Sequence, residues 1–201
     1  MGYNQSGIIS ISMLAVEHWA TNDVFSNDLV ASGLITHFTQ SSAPLTGIWT
    51  ENGDISWEGK DPGLQPQFCT FIVNHNFGKT INWEIIEGRD FSEELSSDSA
   101  AIIVNEAAVE YMQLKNPVGT GIKWSSNFRI IGVVKNFLME SPFGEVRPTI
   151  YAVSPEDLRN FQIIRLNPNI SVLEAISGIE EIHKKHLSNV PFSFDHDRAN
   201  G

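Results

Sequence analysis

One cysteine in 201 residues, Cys69, excludes an internal disulfide and any zinc centre built from several thiolates. Within the apolar run FCTFIV it reads as a small buried hydrophobe. Basic residues are scarce too: 13 Lys and Arg against 24 Asp and Glu give a formal charge of −11. A chain of that charge repels phosphate backbones and anionic lipid headgroups, which argues against nucleic acid or a membrane surface as partner. No apolar run approaches the ~20 residues that span a bilayer. The N-terminus has neither the basic segment nor the cleavage site of a signal peptide. The sequence contains no G-x-S-x-G, no G-x-G-x-x-G and no Walker loop, so common nucleophile and phosphate-binding signatures are missing. Gly119-Thr120-Gly121 is a turn and not a phosphate cradle, because no helix signal follows it.

What is present is core material. Apolar residues make up 41 %, with 12 Phe and 5 Trp, enough to bury a substantial interior. Alternating or short apolar runs predict strands over 8–16, 35–40, 68–74, 83–87, 100–104, 122–124, 128–137, 148–153, 161–166 and 191–194. Helical spacing predicts a helix that starts at a cap among Thr21, Asn22 and Asp23 and ends near Gly33. A second starts at Asn105, and a short helical segment covers 76–83. Ser171-Val172-Leu173-Glu174 is a capping box opening a further helix. Asn52-Gly53, between runs carrying Trp49 and Trp57, predicts a tight hairpin in which Trp49 faces Ser56 and Trp57 faces Ile48. The acidic stretch 92–99 reads as an exposed loop. The tally is an α+β fold: an outer α/β unit built from residues 1–76 and 148–201, with a β-rich unit carrying one helix, residues 77–147, inserted in the middle.

Few residues invite a chemical reading. Asn105-Glu106 ends a strand, a place where many α/β enzymes keep catalytic groups. Asparagine is also a preferred helix cap, and a glutamate in the first turn suits the positive end of the helix dipole. Lys115 fits the last turn, and Asn116-Pro117 a helix stop. Cap and dipole explain these residues better than catalysis does. Glu180, His183 and His186 fall three apart on one helix and raise a metal site, but spacing of three drifts around a helix, and a solvated face is the simpler reading. His196-Asp197 is at most a fragment of a dyad. Trp49 and Trp57 suggest an aromatic surface for a peptide or glycan, against core packing of at least one of them.

The order of weaker words across the chain is more specific than any of these. Gly88-Arg89-Asp90-Phe91-Ser92 is followed by Asp98, by Ile103-Val104-Asn105-Glu106-Ala107-Ala108 and by Asn116-Pro117-Val118-Gly119. Then come Ile130-Ile131-Gly132-Val133-Val134-Lys135-Asn136-Phe137 and Pro148, with Trp57-Glu58-Gly59-Lys60 upstream and Pro191-Phe192 downstream. This series, spread over residues 8–194, resembles the MacB-like periplasmic core domain of FtsX-like ABC transporter permeases, especially the Bacteroidetes type.

The resemblance implies a domain on the periplasmic side of the inner membrane, between two membrane helices of a permease. It implies no catalytic, cofactor-binding or metal-binding residue in the domain. ATP would be hydrolysed by a separate ATPase subunit, reached through the membrane helices. A second permease copy would complete a dimer, and a periplasmic or outer-membrane protein is a further expected partner. Residues 195–201 do not continue into the acidic-aromatic segment of the family, so the chain is expected to be a soluble segment of a longer permease. Two rival expectations are a free-standing peptide- or glycan-binding module and a hydrolase that uses Glu106 with another carboxylate.

Overall fold

The computed structural model describes residues 7–13, 16–45, 50–136, 146–154 and 160–196, except for the side chains of 16–23, 195 and 196. The described chain opens with β1 (Ile8–Ser12), α1 (Val16–Ala31) and β2 (Ile35–Ser41). Three strands follow, β3 (Glu51–Asn52), β4 (Ile55–Trp57) and β5 (Phe68–Val73). Next come α2 (Phe77–Ile81), β6 (Ile85–Gly88) and a 3-10 turn at Ser96–Ala100. The middle closes with β7 (Ala101–Asn105), α3 (Glu106–Met112), β8 (Gly121–Trp124) and β9 (Ser126–Val134). The last part holds β10 (Thr149–Val153), β11 (Phe161–Leu166), α4 (Val172–His186) and β12 (Phe194–His196).

All twelve strands belong to one sheet, in the order β12-β1-β11-β2-β5-β10-β7-β9-β8-β4, with β3 also on β5 and β6 also on β9. The fold is therefore α+β, as the sequence pattern implied. Most neighbours are antiparallel. The parallel pairs are β5 with β10 and β7 with β9. After β5 the chain builds β6 to β9 farther along the sheet and returns as β10 directly beside β5. One strand crosses that pattern: β4 pairs with β8, Trp57 opposite Ile122.

Strand composition follows from burial. In β7, Ile102 and Val104 enter one apolar cluster, while Ala101 and Ile103 enter another on the opposite face. The same split holds in β10, where Ile150 and Ala152 oppose Tyr151 and Val153. Alternate side chains point to opposite faces, so a strand covered on both sides must be apolar throughout. That is why AIIVN and TIYAV lack alternation. Tyr151 is the hub of its cluster, with ring centroids 5.1 Å from Trp83, 5.7 Å from Phe71 and 6.0 Å from Phe77. At the other end of the sheet Ile9, Ile11 and Met13 share a face, as their spacing predicts, and bury with Phe25, Leu29 and Ile179 under α1 and α4.

Four local expectations change. Helix α1 begins at Val16, ahead of the expected cap. Thr, Asn and Asp cost only tenths of a kcal/mol inside a helix, and the packing of Phe25 and Leu29 outweighs that. The Asn52-Gly53 hairpin does not form. Gly53 has no positive φ, β3 pairs with β5, and β4 pairs with β8. Asn52 instead donates its amide to the Thr70 hydroxyl at 2.6 Å, so the sheet claims each half of the would-be hairpin separately. Helix α3 ends at Met112, well before Pro117, through Gln113 in the left-handed region at φ 55°. The β8–β9 connection is tighter than a three-residue turn: Trp124 pairs with Ser126, and Ser125 alone makes the bend at φ 48°.

The capping box is as read, with Ser171 Oγ accepting the Glu174 N–H at 3.2 Å. Residues 138–146, which read from the sequence as a loop with Pro142 and Gly144, lie outside the described residues except for 146.

Candidate functional site

Asn105 is 3 % exposed and holds three segments together. Its Oδ1 accepts the N–H of Ala108 at 2.9 Å, the cap of α3. The same oxygen accepts the N–H of Thr149 at 2.9 Å, and its Nδ2 donates to the Arg147 carbonyl at 2.8 Å. Glu106 extends the same clasp. Its Oε2 accepts the Asn136 N–H at 2.8 Å, while Asn136 Oδ1 accepts the Ala107 N–H at 3.0 Å. The pair therefore ties the end of β7 and the start of α3 to the residues leaving β9 and those entering β10. Cap and dipole were legible in the sequence, but the cross-links to Asn136 and Thr149, 30 and 44 residues away, were not. With both polar groups of Asn105 committed to backbone, and Glu106 bound to a backbone N–H, the strand end acts as a joint.

A second clasp lies between β6 and β7. The Arg89 guanidinium grips Asp98 through two bonds, 2.8 Å to Oδ2 and 2.6 Å to Oδ1. Asp98 also accepts the Ser92 N–H at 2.9 Å. Residues 93–97 and 99 are exposed, as the sequence reading of 92–99 implies, but Asp98 has no exposed surface: the segment folds back to deliver that one carboxylate to Arg89. Asp90 next to it accepts Trp83 Nε1 at 3.0 Å and the Phe91 N–H at 2.8 Å.

Close backbone approach explains the glycines here. An added Cβ at Gly88 (φ 76°) would fall inside 3.0 Å of the Ile131 carbonyl oxygen, and one at Gly132 inside 3.0 Å of the Arg89 carbonyl oxygen. The words GRDFS, IIGVVKN and VNEA thus encode two clasps and the glycine contact between them.

The two carboxylates respond oppositely to acid. The Asp98 carboxyl is held below its ordinary value by the Arg89 hydrogen bonds, against the opposing effect of burial. The Asp90 carboxyl is pushed up by burial, partly offset by the Phe91 and Trp83 donors. A folded pKa below the unfolded one gives stability that is complete above the unfolded value, near 3.9, and is lost as pH falls through the folded value. For Asp90 the sign reverses, and acid relieves it. Asp98→Asn is therefore expected to lower stability at neutral pH. Its deficit against the wild-type chain should shrink once pH drops below about 4. Urea titrations at pH 7 and pH 3 measure this, and a constant deficit would refute the clasp.

The remaining candidates disperse. His183 is 1 % exposed, not on a solvated face, and its ring packs against Phe25 (5.9 Å) and Phe192 (5.2 Å). His186 Nε2 meets Asp28 Oδ2 at 2.8 Å, alongside Lys185 Nζ at 2.7 Å, and Glu180 pairs with Lys184 at 2.7 Å. Each of the three residues whose spacing raised a metal site has another neighbour instead. Among the described residues no group of three or more His, Cys, Asp or Glu side chains is placed to hold a metal ion.

Trp57 is 8 % exposed and packs edge-on against Phe68 at 6.0 Å, so it belongs to the core. Trp49 and Asp197 lie outside the described residues, and His196 is described only as backbone paired with Ile9. Cys69 is buried, as expected.

Sequence reading missed the role of Arg89 and Asp98, although two opposite charges flanking an otherwise acidic stretch were the available signal. It also missed a surface groove of 450 Å³ between β6 and α3, whose lining includes Ile86, Val109 and Leu114.

Among the described residues, a twelve-stranded mixed sheet carrying four helices and clasped at internal joints makes an α+β domain. The model of the MacB-like periplasmic core domain matches residues 5–182, and the chain belongs to that family. Among solved structures it is similar to the periplasmic region of MacB from Actinobacillus actinomycetemcomitans, at 13 % identity over 96 % of this chain and 89 % of that one, TM-score 0.65. A domain of a permease protein from Porphyromonas gingivalis matches at 12 % identity over 98 % and 93 %, TM-score 0.60. The extracellular domain of the ABC-type transporter YknZ from Gram-positive bacteria matches at 13 % over 95 % and 99 %, TM-score 0.59. At such identities the likeness is one of fold. A search of curated proteins found no significant match. No described helix is long and apolar enough to cross a membrane.

Proposed function

We propose that the chain is a non-enzymatic coupling domain. Held on the periplasmic side of the inner membrane, it transmits movement between permease helices, driven by ATP hydrolysis on a separate subunit, to export, extraction or signalling at the envelope. The working unit is a dimer of permease copies with that ATPase and a periplasmic or outer-membrane partner. The observation that carries this reading is family membership over nearly the whole chain. The geometry supports it: β1 and β12 are antiparallel neighbours, Ile9 opposite His196, so two connections to the membrane would leave side by side. The division into an outer unit, residues 1–76 and 148–201, and an inserted unit, residues 77–147, is part of this proposal, supported by the return of the chain beside β5.

The test uses the full-length gene product expressed with the ATPase encoded beside it. The expected result is co-purification of the two and ATP turnover by the complex, with loss of envelope function but not of membrane insertion when Arg89 is changed to Ala. A gene product without flanking membrane helices, or full function after removal of this domain, would overturn it.

A further inference from the structure

The groove between β6 and α3 adjoins the Glu106 clasp, since Glu106 lines it and also binds the Asn136 N–H. Its apolar lining is Ile86, Val109, Leu114, Pro117 and Val133, with Ile86 46 % exposed, a large hydrophobic surface left to solvent. Glu87, Glu106 and Glu110 line it as well, against Lys115 alone, three negative charges to one positive. The geometry points to this groove as a docking site for a short basic amphipathic helix presented by another protein. The apolar face of such a helix would cover Ile86, Val109 and Leu114, and its Lys or Arg residues would meet the glutamates.

Charge selects among the occupants. Residues 137–145 of this chain, FLMESPFGE, begin next to Asn136, which Glu106 binds, and are apolar enough to enter. They carry two glutamates and no basic residue, so they would add negative charge to a negative groove. A second copy of a chain at −11 faces the same repulsion.

Backbone shape selects the form of the ligand. Strand β6 pairs at only three positions, with a bulge between Ile85 and Glu87, and Glu87 within it is exposed. Bulges and charges at a sheet edge resist addition of another strand. An amphipathic helix needs no such edge, since its anchors seat in an apolar groove. The proposal does not depend on the coupling role above and would hold for a free-standing domain.

The probe is an amphipathic Leu/Lys helical peptide of about four turns, titrated into the 201-residue chain and compared with a Leu/Glu peptide of the same pattern. Binding of the Leu/Lys peptide alone is expected. It should weaken at least about tenfold, or about 1.4 kcal/mol, in Glu87→Lys/Glu110→Lys and in Ile86→Asp. The control Glu181→Lys, an exposed position on α4, which packs at the β1–β11 end of the sheet, should leave it unchanged.

Equal weakening in the control would show that net charge alone attracts the peptide and would overturn the proposal, as would no binding or binding of the Leu/Glu peptide. Binding that appears only after residues 137–145 are replaced by a Gly/Ser linker would assign the groove to this chain's own segment. Self-association lost in Ile86→Asp would assign it to a second copy. Either result overturns the proposal.

Discussion

Gly132→Ala is expected to destabilise the domain by about 3 kcal/mol, roughly 6–12 °C in Tm for a chain of this size. Gly132 sits in β9 where the register against β7 shifts, with Ile102 opposite Ile130 and Ile103 opposite Gly132. It also pairs with Gly88 of β6, and an added Cβ would fall inside 3.0 Å of the Arg89 carbonyl oxygen. That oxygen belongs to backbone already fixed on both sides. The Arg89 N–H donates to the Ile131 carbonyl at 3.0 Å, and the Arg89 side chain is held by Asp98. No flexible side-chain end is available to move aside. Gly121→Ala is the control, because nothing lies within 4 Å of its added Cβ and its φ is not positive. Thermal melts that move the two variants equally would show that the contact carries no strain.

Asn105→Ala is expected to cost about 3 kcal/mol, well beyond the ~1 kcal/mol of a lost helix cap. Three bonds disappear at roughly 1 kcal/mol each: those to the Ala108 and Thr149 N–H groups and to the Arg147 carbonyl. The site is nearly closed to water, so the freed backbone groups gain little solvation in return. Asn105→Asp keeps an acceptor for both N–H groups and loses the donor to Arg147, so it should fall between alanine and wild type. Denaturant unfolding of the two variants decides the matter. A loss near 1 kcal/mol for alanine would reduce Asn105 to a cap.

The contrast between those figures shows what a single sequence discloses. Residue type and short spacing report local partners, so the cap at Asn105, the capping box at Ser171 and the apolar face of β1 could be read directly. They do not report partners that arrive from afar. Nothing in Asn105 itself announces Thr149, and nothing in Asn52-Gly53 announces that β5 and β8 will separate a favourable local turn. Gln113 ends α3 in a conformation usually left to glycine, and no neighbouring residue signals it. His183 looked solvated because Lys184 and Lys185 follow it, yet on a helix those lysines lie on other faces while His183 faces Phe25. The α+β class and the family words were visible. The clasps that give those words a physical meaning required the register of the sheet.

That register has a mechanical side. β12 is held to β1 at three positions, from Ile9 to Ile11, whereas β1 is held to β11 at five. A load that draws Gly7 and His196 apart pulls on neighbouring ends of antiparallel strands, so it opens their bonds one after another, as a zipper opens, instead of shearing them together. The first element to yield under tension is then β12, releasing slack at about 3.3 Å per residue while the remaining sheet keeps its shape. In the coupling role proposed above, β12 would serve as a fuse at the point where force enters.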